Sequence, residues 1–548
     1  MGWLVSVYRT VLEQKIKERR QSVEEFAEFV ETFAREHGEP GTLSTRNLQR
    51  LLSGHRADGA PLGPVRTVTA RLLERIFGLD IDVLLSPPRD ALGTADIAGG
   101  TASPRTVHVP ETVMTRPAPG NFGAVAADLS AAFDWLDTQA RWTPQTTQIR
   151  VTERLAELGV RTAIAGRLPA RVGRGALAEA MAAYYDRSVP GHGFYRTRID
   201  GHGIDTTVFT RPSWLDLRCP LTPSTDLLRL DAVMPGAARE HDAPYYAVDR
   251  LAEAVTAGVR VSDRPVYRLL SADVEPARIG GSVGLASFVE YALTLDLLES
   301  ELSDAVSRSV TPCHGSQPLR DRYLPSLAAV LDLDSRLCVG GALALCAIAR
   351  PADPFRGPAD YALLVQERST QVVNAARRLA VIPKGFHQPL RDYRADTRIG
   401  ATLRRELEEE LFGHSEVDST EDGNRVADPM HPNRLSAPMH WLSEEPGRLR
   451  MECTGFGLNT ISGNYEFASL LMIDDERFWT RFGGDIEANW ESRSLRQYSS
   501  LDRDLVTVLA ADESWSNEGL FAFAQGLRRL REIGGERVDL PQIDVLPV

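Results

Sequence analysis

PKGFHQPLRDYRADTRIGATLRRELEEELFG, residues 383–413, is the stretch on which the reading of this chain turns. Its second half carries a strong helix pattern. Ile399, Leu403, Leu407 and Leu411 recur every four residues and form one apolar stripe. Glu406, Glu409 and Glu410 lie three and four apart, so they gather on a face beside that stripe. Arg405 and Glu409 make an i, i+4 pair. Carboxylates brought together in this way repel one another unless a cation is present, and a hard divalent ion takes such oxygens as ligands. The plainer reading of the same run is a solvated acidic helix face.

Residues upstream add to the pattern. Residues 338–348 and 361–366 read as apolar strands, and 379–383 as another, followed by Lys384-Gly385 in a loop. With these in place, Arg405-Glu406-Leu407-Glu408-Glu409-Glu410 resembles the second half of the Nudix box, which reads Arg-Glu, an aliphatic, any residue, Glu-Glu. The resemblance implies a mixed sheet with flanking helices. It also implies Glu406, Glu409 and Glu410 as ligands of Mg²⁺ or Mn²⁺, with Glu409, Glu410 and Arg405 in the catalytic set. Arg405 then orients Glu409, while Lys384, Gly385 and His387 meet the phosphates or base of a nucleotide-type ligand. Two departures stand out. The gap from Gly385 to Arg405 is longer than the family's, so the expected first glutamate falls on Thr397, and the closing glycine is displaced to Gly413. Asp392 or Asp396 is the candidate replacement for that glutamate, and Glu452 and Glu466 are candidates for a carboxylate from outside the box.

Residues 1–88 read as consecutive short helices. Ser22 and Glu25 make a capping box ahead of Phe26, Phe29, Val30 and Phe33, and Ser44 caps a helix running to Leu52. The closing stretch TARLLERIFGLDIDVLL, residues 69–85, completes an order of five helices that resembles the Cro/CI-type (XRE) helix-turn-helix domains of actinobacterial regulators. By that resemblance residues 44–52 are the recognition helix in the major groove. It presents Thr45, Arg46, Asn47, Gln49 and Arg50, with Arg56 just after, residue types that read guanine, adenine and phosphate. The expected partner is double-stranded DNA, bound as a homodimer. The other reading of these helices is a bundle that binds protein.

Residues 89–120 are rich in Pro, Gly, Ala, Thr and Ser and read as a flexible linker. Residues 121–320 read as an α+β region of unassigned role, including a long helix at 284–305, and residues 321–548 as the Nudix-like domain. The expected fold class is thus multidomain: an N-terminal all-α helix-turn-helix bundle, an α+β middle region and a C-terminal α/β Nudix-like mixed sheet.

The net charge of −13 over 548 residues speaks against coating of nucleic acid by the whole molecule, though not against one DNA-reading module. The five cysteines are scattered without a CxxC pair, so neither a zinc site nor a disulfide framework is expected. No run of apolar residues is long enough for a membrane span, and a cytoplasmic location is expected. Only three lysines, Lys15, Lys17 and Lys384, stand among many arginines. Two functions remain open: a transcriptional regulator sensing a nucleotide or nucleotide-sugar ligand, and a Mg²⁺-dependent pyrophosphohydrolase acting on nucleoside diphosphate derivatives.

Overall fold

In the computed structural model the chain divides into two units, residues 1–113 and 114–548. The described residues of the first unit are 10–18, 81–85 and single positions between them. Those of the second run from 129 to 546, apart from 166–171, 232–243, 260, 262, 355, 371, 413–429, 432–433 and parts of 484–490.

In the first unit Val11–Glu18 and Ile81–Leu85 are helices. Leu12, Ile16, Phe26, Val30, Leu48 and Leu73 are buried in one apolar cluster, and Phe26 stacks on Phe77 with ring centroids 5.4 Å apart. Phe26 and Val30 are the inward positions expected of the second helix. Leu48, Leu51 and Leu52, from the segment expected to form the third helix, are buried as well.

The second unit is built on strands numbered β1 to β14 in chain order. Gly193–Ile199, His202–Thr210, Leu215–Pro220 and Asp226–Leu230 are β1 to β4. Pro265–Glu275 and Arg278–Ser287 are β5 and β6. Gly340–Arg350, Asp360–Arg368, Leu379–Val381 and Lys384–Phe386 are β7 to β10. Arg450–Asn459, Asn464–Ile473, Ser492–Ser499 and Ile543–Val545 are β11 to β14. An eleven-stranded mixed sheet runs β13-β8-β7-β12-β11-β2-β1-β14, with β9, β10 and β3 attached to β8, β7 and β11. A three-stranded sheet runs β4-β6-β5.

The centre of the large sheet is the parallel pair β7 and β12. Every residue of both strands is buried, as the continuous apolar run GGALALCAIAR requires of a strand covered on both faces. The pleat sorts β7 into two sets. Ala342, Ala344 and Cys346 share a core with Leu403 and Leu407 of helix Ile399–Leu411. Leu343, Leu345 and Ala347 share the other core with Phe521 and Leu527 of helix Asn517–Ile533. The sheet is therefore a filling between two helical layers.

The boundary expected near residue 320 is corrected here. β2 and β3 both pair with β11, so strands from either side of that position belong to one sheet. The long helix expected at 284–305 is also corrected. β6 continues to Ser287, whose hydroxyl caps helix Phe288–Ala292, and a second helix spans Leu297–Ser307. Between them Asp296 is held by Arg250 at 2.8 Å and by the Tyr291 hydroxyl at 3.4 Å. Among the described residues no helix is long and apolar enough to cross a membrane.

Close strand approach depends on two glycines at the head of β7. A Cβ on Gly340 would stand 1.9 Å from the Tyr465 carbonyl oxygen, and one on Gly341 2.2 Å from that of Gly385. Gly340→Ala is expected to lower unfolding stability by at least about 2 kcal/mol, the cost of overpacking a site with no give. A urea midpoint unchanged from the parent would contradict this register.

Candidate functional site

Helix Ile399–Leu411 forms where the stripe predicted it, with Ile399, Leu403, Leu407 and Leu411 fully buried. Burial of each contributes about 1.5–3 kcal/mol. Its start lacks a cap from its own segment. Asp226 of β4 supplies one instead, its Oδ2 accepting the Gly400 N–H at 2.9 Å. Burial raises the Asp226 carboxyl to about 6 against those amides.

The acidic face is not solvated. Glu406, Glu408, Glu409 and Glu410 are all at most 8% exposed. Each finds its counter-groups inside the protein. Arg405 donates from Nη2 to Glu406 Oε1 at 2.6 Å and to the Phe386 carbonyl at 3.1 Å, and from Nη1 to the Gln388 carbonyl at 3.1 Å. Its Nε stands 3.8 Å from Glu409, in keeping with an orienting role. Glu408 accepts both the Ser436 N–H and its hydroxyl at 2.6 Å. Glu410 accepts the Lys384 N–H at 2.7 Å and lies 3.5 Å from Arg368, which also pairs with Glu491. Burial, then the Glu491 charge, push the Glu410 carboxyl well above the usual range. Gly385 makes room for this arrangement, since a Cβ there would fall 2.0 Å from the Glu406 carboxyl carbon.

The divalent ion implied by the box needs carboxylate oxygens free to turn toward one point. Here Glu406 and Glu409 share one guanidinium, and Glu410 is turned to a backbone amide. Among the described residues no three His, Cys, Asp or Glu side chains are grouped to hold a metal ion. The donor set present does not fit Mg²⁺ or Mn²⁺. At the position of the absent first glutamate, Thr397 is buried and donates to the Leu228 carbonyl at 2.8 Å. Asp392 and Asp396 accept N–H groups of their own loop, at Arg394 and Ala395 and at Leu390 and Arg391.

Of the three residues expected to meet ligand, Gly385 lies against Glu406, and the side chains of Lys384 and His387 are engaged within the protein. Lys384 sends Nζ to Glu518 at 2.6 Å, at the start of the C-terminal helix, and to Asn374 at 3.2 Å. Glu466, on the same side of β12 as Ala468 and Leu470, is buried near that pair, and its carboxyl is raised well above normal by burial and by Glu518. Glu452 pairs with Arg529 of the C-terminal helix at 2.7 Å. Neither supplies a carboxylate beside Glu409. His387 is fully buried between Tyr267 and Tyr465, its Nδ1 2.9 Å from the Tyr465 hydroxyl. Its backbone joins β5 to the large sheet, accepting the Tyr267 N–H and donating to the Gly340 carbonyl. Burial and the nearby Arg405 lower its pKa to about 3, so it is a neutral packing residue.

Sequence reasoning missed the open feature of this region. A cavity of about 420 Å³ lies beside the helix, between the segment at 388–396 and residues 430–443. Thr402 and Arg405, both nearly fully buried, form its floor, and Arg391 and Arg404 are exposed at its rim. Its signal was the extra length between Gly385 and Arg405, which builds the loop that walls it. The DNA candidates Thr45, Arg46, Asn47, Gln49, Arg50 and Arg56 lie outside the described residues.

No model of a known protein family matches the chain, and no curated relative matches it.

Two outcomes are expected. Lys384→Met leaves Glu518 buried without its cation and lowers stability by about 3–5 kcal/mol, whereas Lys384→Met/Glu518→Gln recovers part of that loss. Equal loss in the single and double variants would show that the pair is not the cause. For His387 the folded pKa of about 3 lies below the ordinary 6.5, so the unfolded chain takes the proton first. Stability is then lost as pH falls from 6.5 toward 3, by about 2 kcal/mol at pH 5. His387→Asn removes that component from the difference between unfolding at pH 7 and at pH 5.

Proposed function

We propose that this protein is a DNA-binding transcriptional regulator whose larger unit is a Nudix-like sandwich that senses a small nucleotide-type ligand without hydrolysing it. The observation that carries the sensing half is the state of the box helix. The acidic helix, Gly385 before it and the mixed sheet beneath it support the Nudix-like reading. Yet Glu406, Glu409 and Glu410 are already met by Arg405, Arg368 and the Lys384 amide. A ligand-binding scaffold retains such a helix for its packing, whereas a hydrolase needs those oxygens on a metal. Support for the DNA-binding half is the order of helices expected from the sequence, together with the burial of Leu48, Leu51 and Leu52 in the apolar cluster of the small unit.

Recognition of duplex DNA near the protein's own gene is expected to fall steeply with salt, as phosphate contacts by several arginines require. Arg46→Ala and Arg50→Ala should each reduce it, with the unfolding midpoint unchanged. Equal, weak binding to every duplex tested would remove the regulator. Hydrolysis of a nucleoside diphosphate derivative that needs Mg²⁺, and that is lost in Glu409→Gln/Glu410→Gln, would replace sensing by the pyrophosphohydrolase reading.

A further inference from the structure

The cavity beside the box helix has the makings of a binding site independent of the metal chemistry. Its volume, about 420 Å³, lies toward the small end of the range for small-molecule pockets. Its walls are of two kinds. Leu390, Met430, Leu435 and Met439 make an apolar side. Arg391, Arg404 and Arg405 bring three guanidiniums to the other. Arg391 and Arg404 have no carboxylate partner among the described residues, and both side chains are exposed. Two carboxylates also line the cavity, but Asp392 and Asp396 are turned to loop N–H groups, two each.

The floor gives the second, separate indication. Thr402 is 1% exposed and its hydroxyl has no hydrogen-bond partner, whereas the Nε of Arg405 faces the Glu409 carboxylate at 3.8 Å. Buried polar atoms in native proteins are nearly always paired, so the Thr402 hydroxyl on the cavity floor marks a place where something else completes the bonding. It offers a donor, and an acceptor bearing negative charge satisfies it.

The geometry points to this cavity as a site for a small organic anion. Its phosphate or carboxylate group accepts from Thr402 and the rim arginines, and its apolar body lies on the leucine and methionine wall. Its role as the sensed ligand rests on the regulator reading above; its chemistry rests on the cavity alone. Docking here would load the N-terminal half of the box helix and the loop that Arg405 ties to it.

Calorimetric titration of the full chain with octyl phosphate, adenosine monophosphate and inorganic phosphate tests this. Octyl phosphate or the nucleotide is expected to bind at one site per chain, and inorganic phosphate at least tenfold more weakly than the better of them. Arg391→Ala/Arg404→Ala, at exposed positions, should weaken binding by roughly tenfold or more. Thr402→Val, which keeps the volume, should weaken it without lowering the melting temperature. Preference for adenosine monophosphate supports both the site and the nucleotide part of the regulator reading. Preference for octyl phosphate, with no response to the nucleotide, keeps the site and removes that part. Absence of binding by both organic probes overturns the proposal. So does binding unchanged in the double arginine variant, or inorganic phosphate bound as tightly as the better probe.

Discussion

Strand β7 can touch no water on either face, and the rest of the larger unit answers to that constraint. Eleven successive buried residues cannot sit at a surface, so each face of the strand demands a cover. Helix Ile399–Leu411 is one cover and helix Asn517–Ile533 the other. Both press close. A Cβ on Gly526 would come 2.7 Å from Leu345, and Gly340 and Gly341 admit β12 and β10 at distances no side chain would permit. The acidic residues of the box helix are buried as a by-product of this tight cover. Burial then forces each of them to find a partner, because an uncompensated carboxylate in such surroundings costs several kcal/mol.

That sequence of causes explains why the site departs from a metal centre. Arg405 lies at the intersection. It holds Glu406, approaches Glu409 and ties two loop carbonyls to the helix, so the loop after Gly385 and the acidic face are one connected piece. Arg368 and Glu491 extend the same compensation beneath Glu410. A divalent cation would have to displace several of these bonds at once.

What was legible beforehand was local. The four-residue repeat of Ile399, Leu403, Leu407 and Leu411 needs only neighbouring residues to declare a helix. The apolar runs of β7, β8 and β9 declare strands by the same means. What was illegible depended on partners far along the chain. Nothing near Glu408 announces Ser436, nothing near Gly400 announces Asp226 as its cap, and nothing near Lys384 announces Glu518. The supposed boundary at 320 failed for the same reason, since pairing of β2 and β3 with β11 joins residues more than two hundred positions apart. The helix expected at 284–305 gives way to strand β6 up to Ser287 and two shorter helices, with Asp296 at the start of the second held by Arg250.

The placement of Lys384 has a practical corollary. The chain has three lysines, and two of them, Lys15 and Lys17, precede residue 18. The third is 8% exposed with its ammonium engaged by a carboxylate. Amine-directed reagents, whether fluorophore esters, biotin esters or cross-linkers, therefore find no accessible lysine side chain in the folded larger unit, so any lysine they do mark is Lys15 or Lys17. A label attached this way reports on the small unit while leaving the sandwich chemically silent.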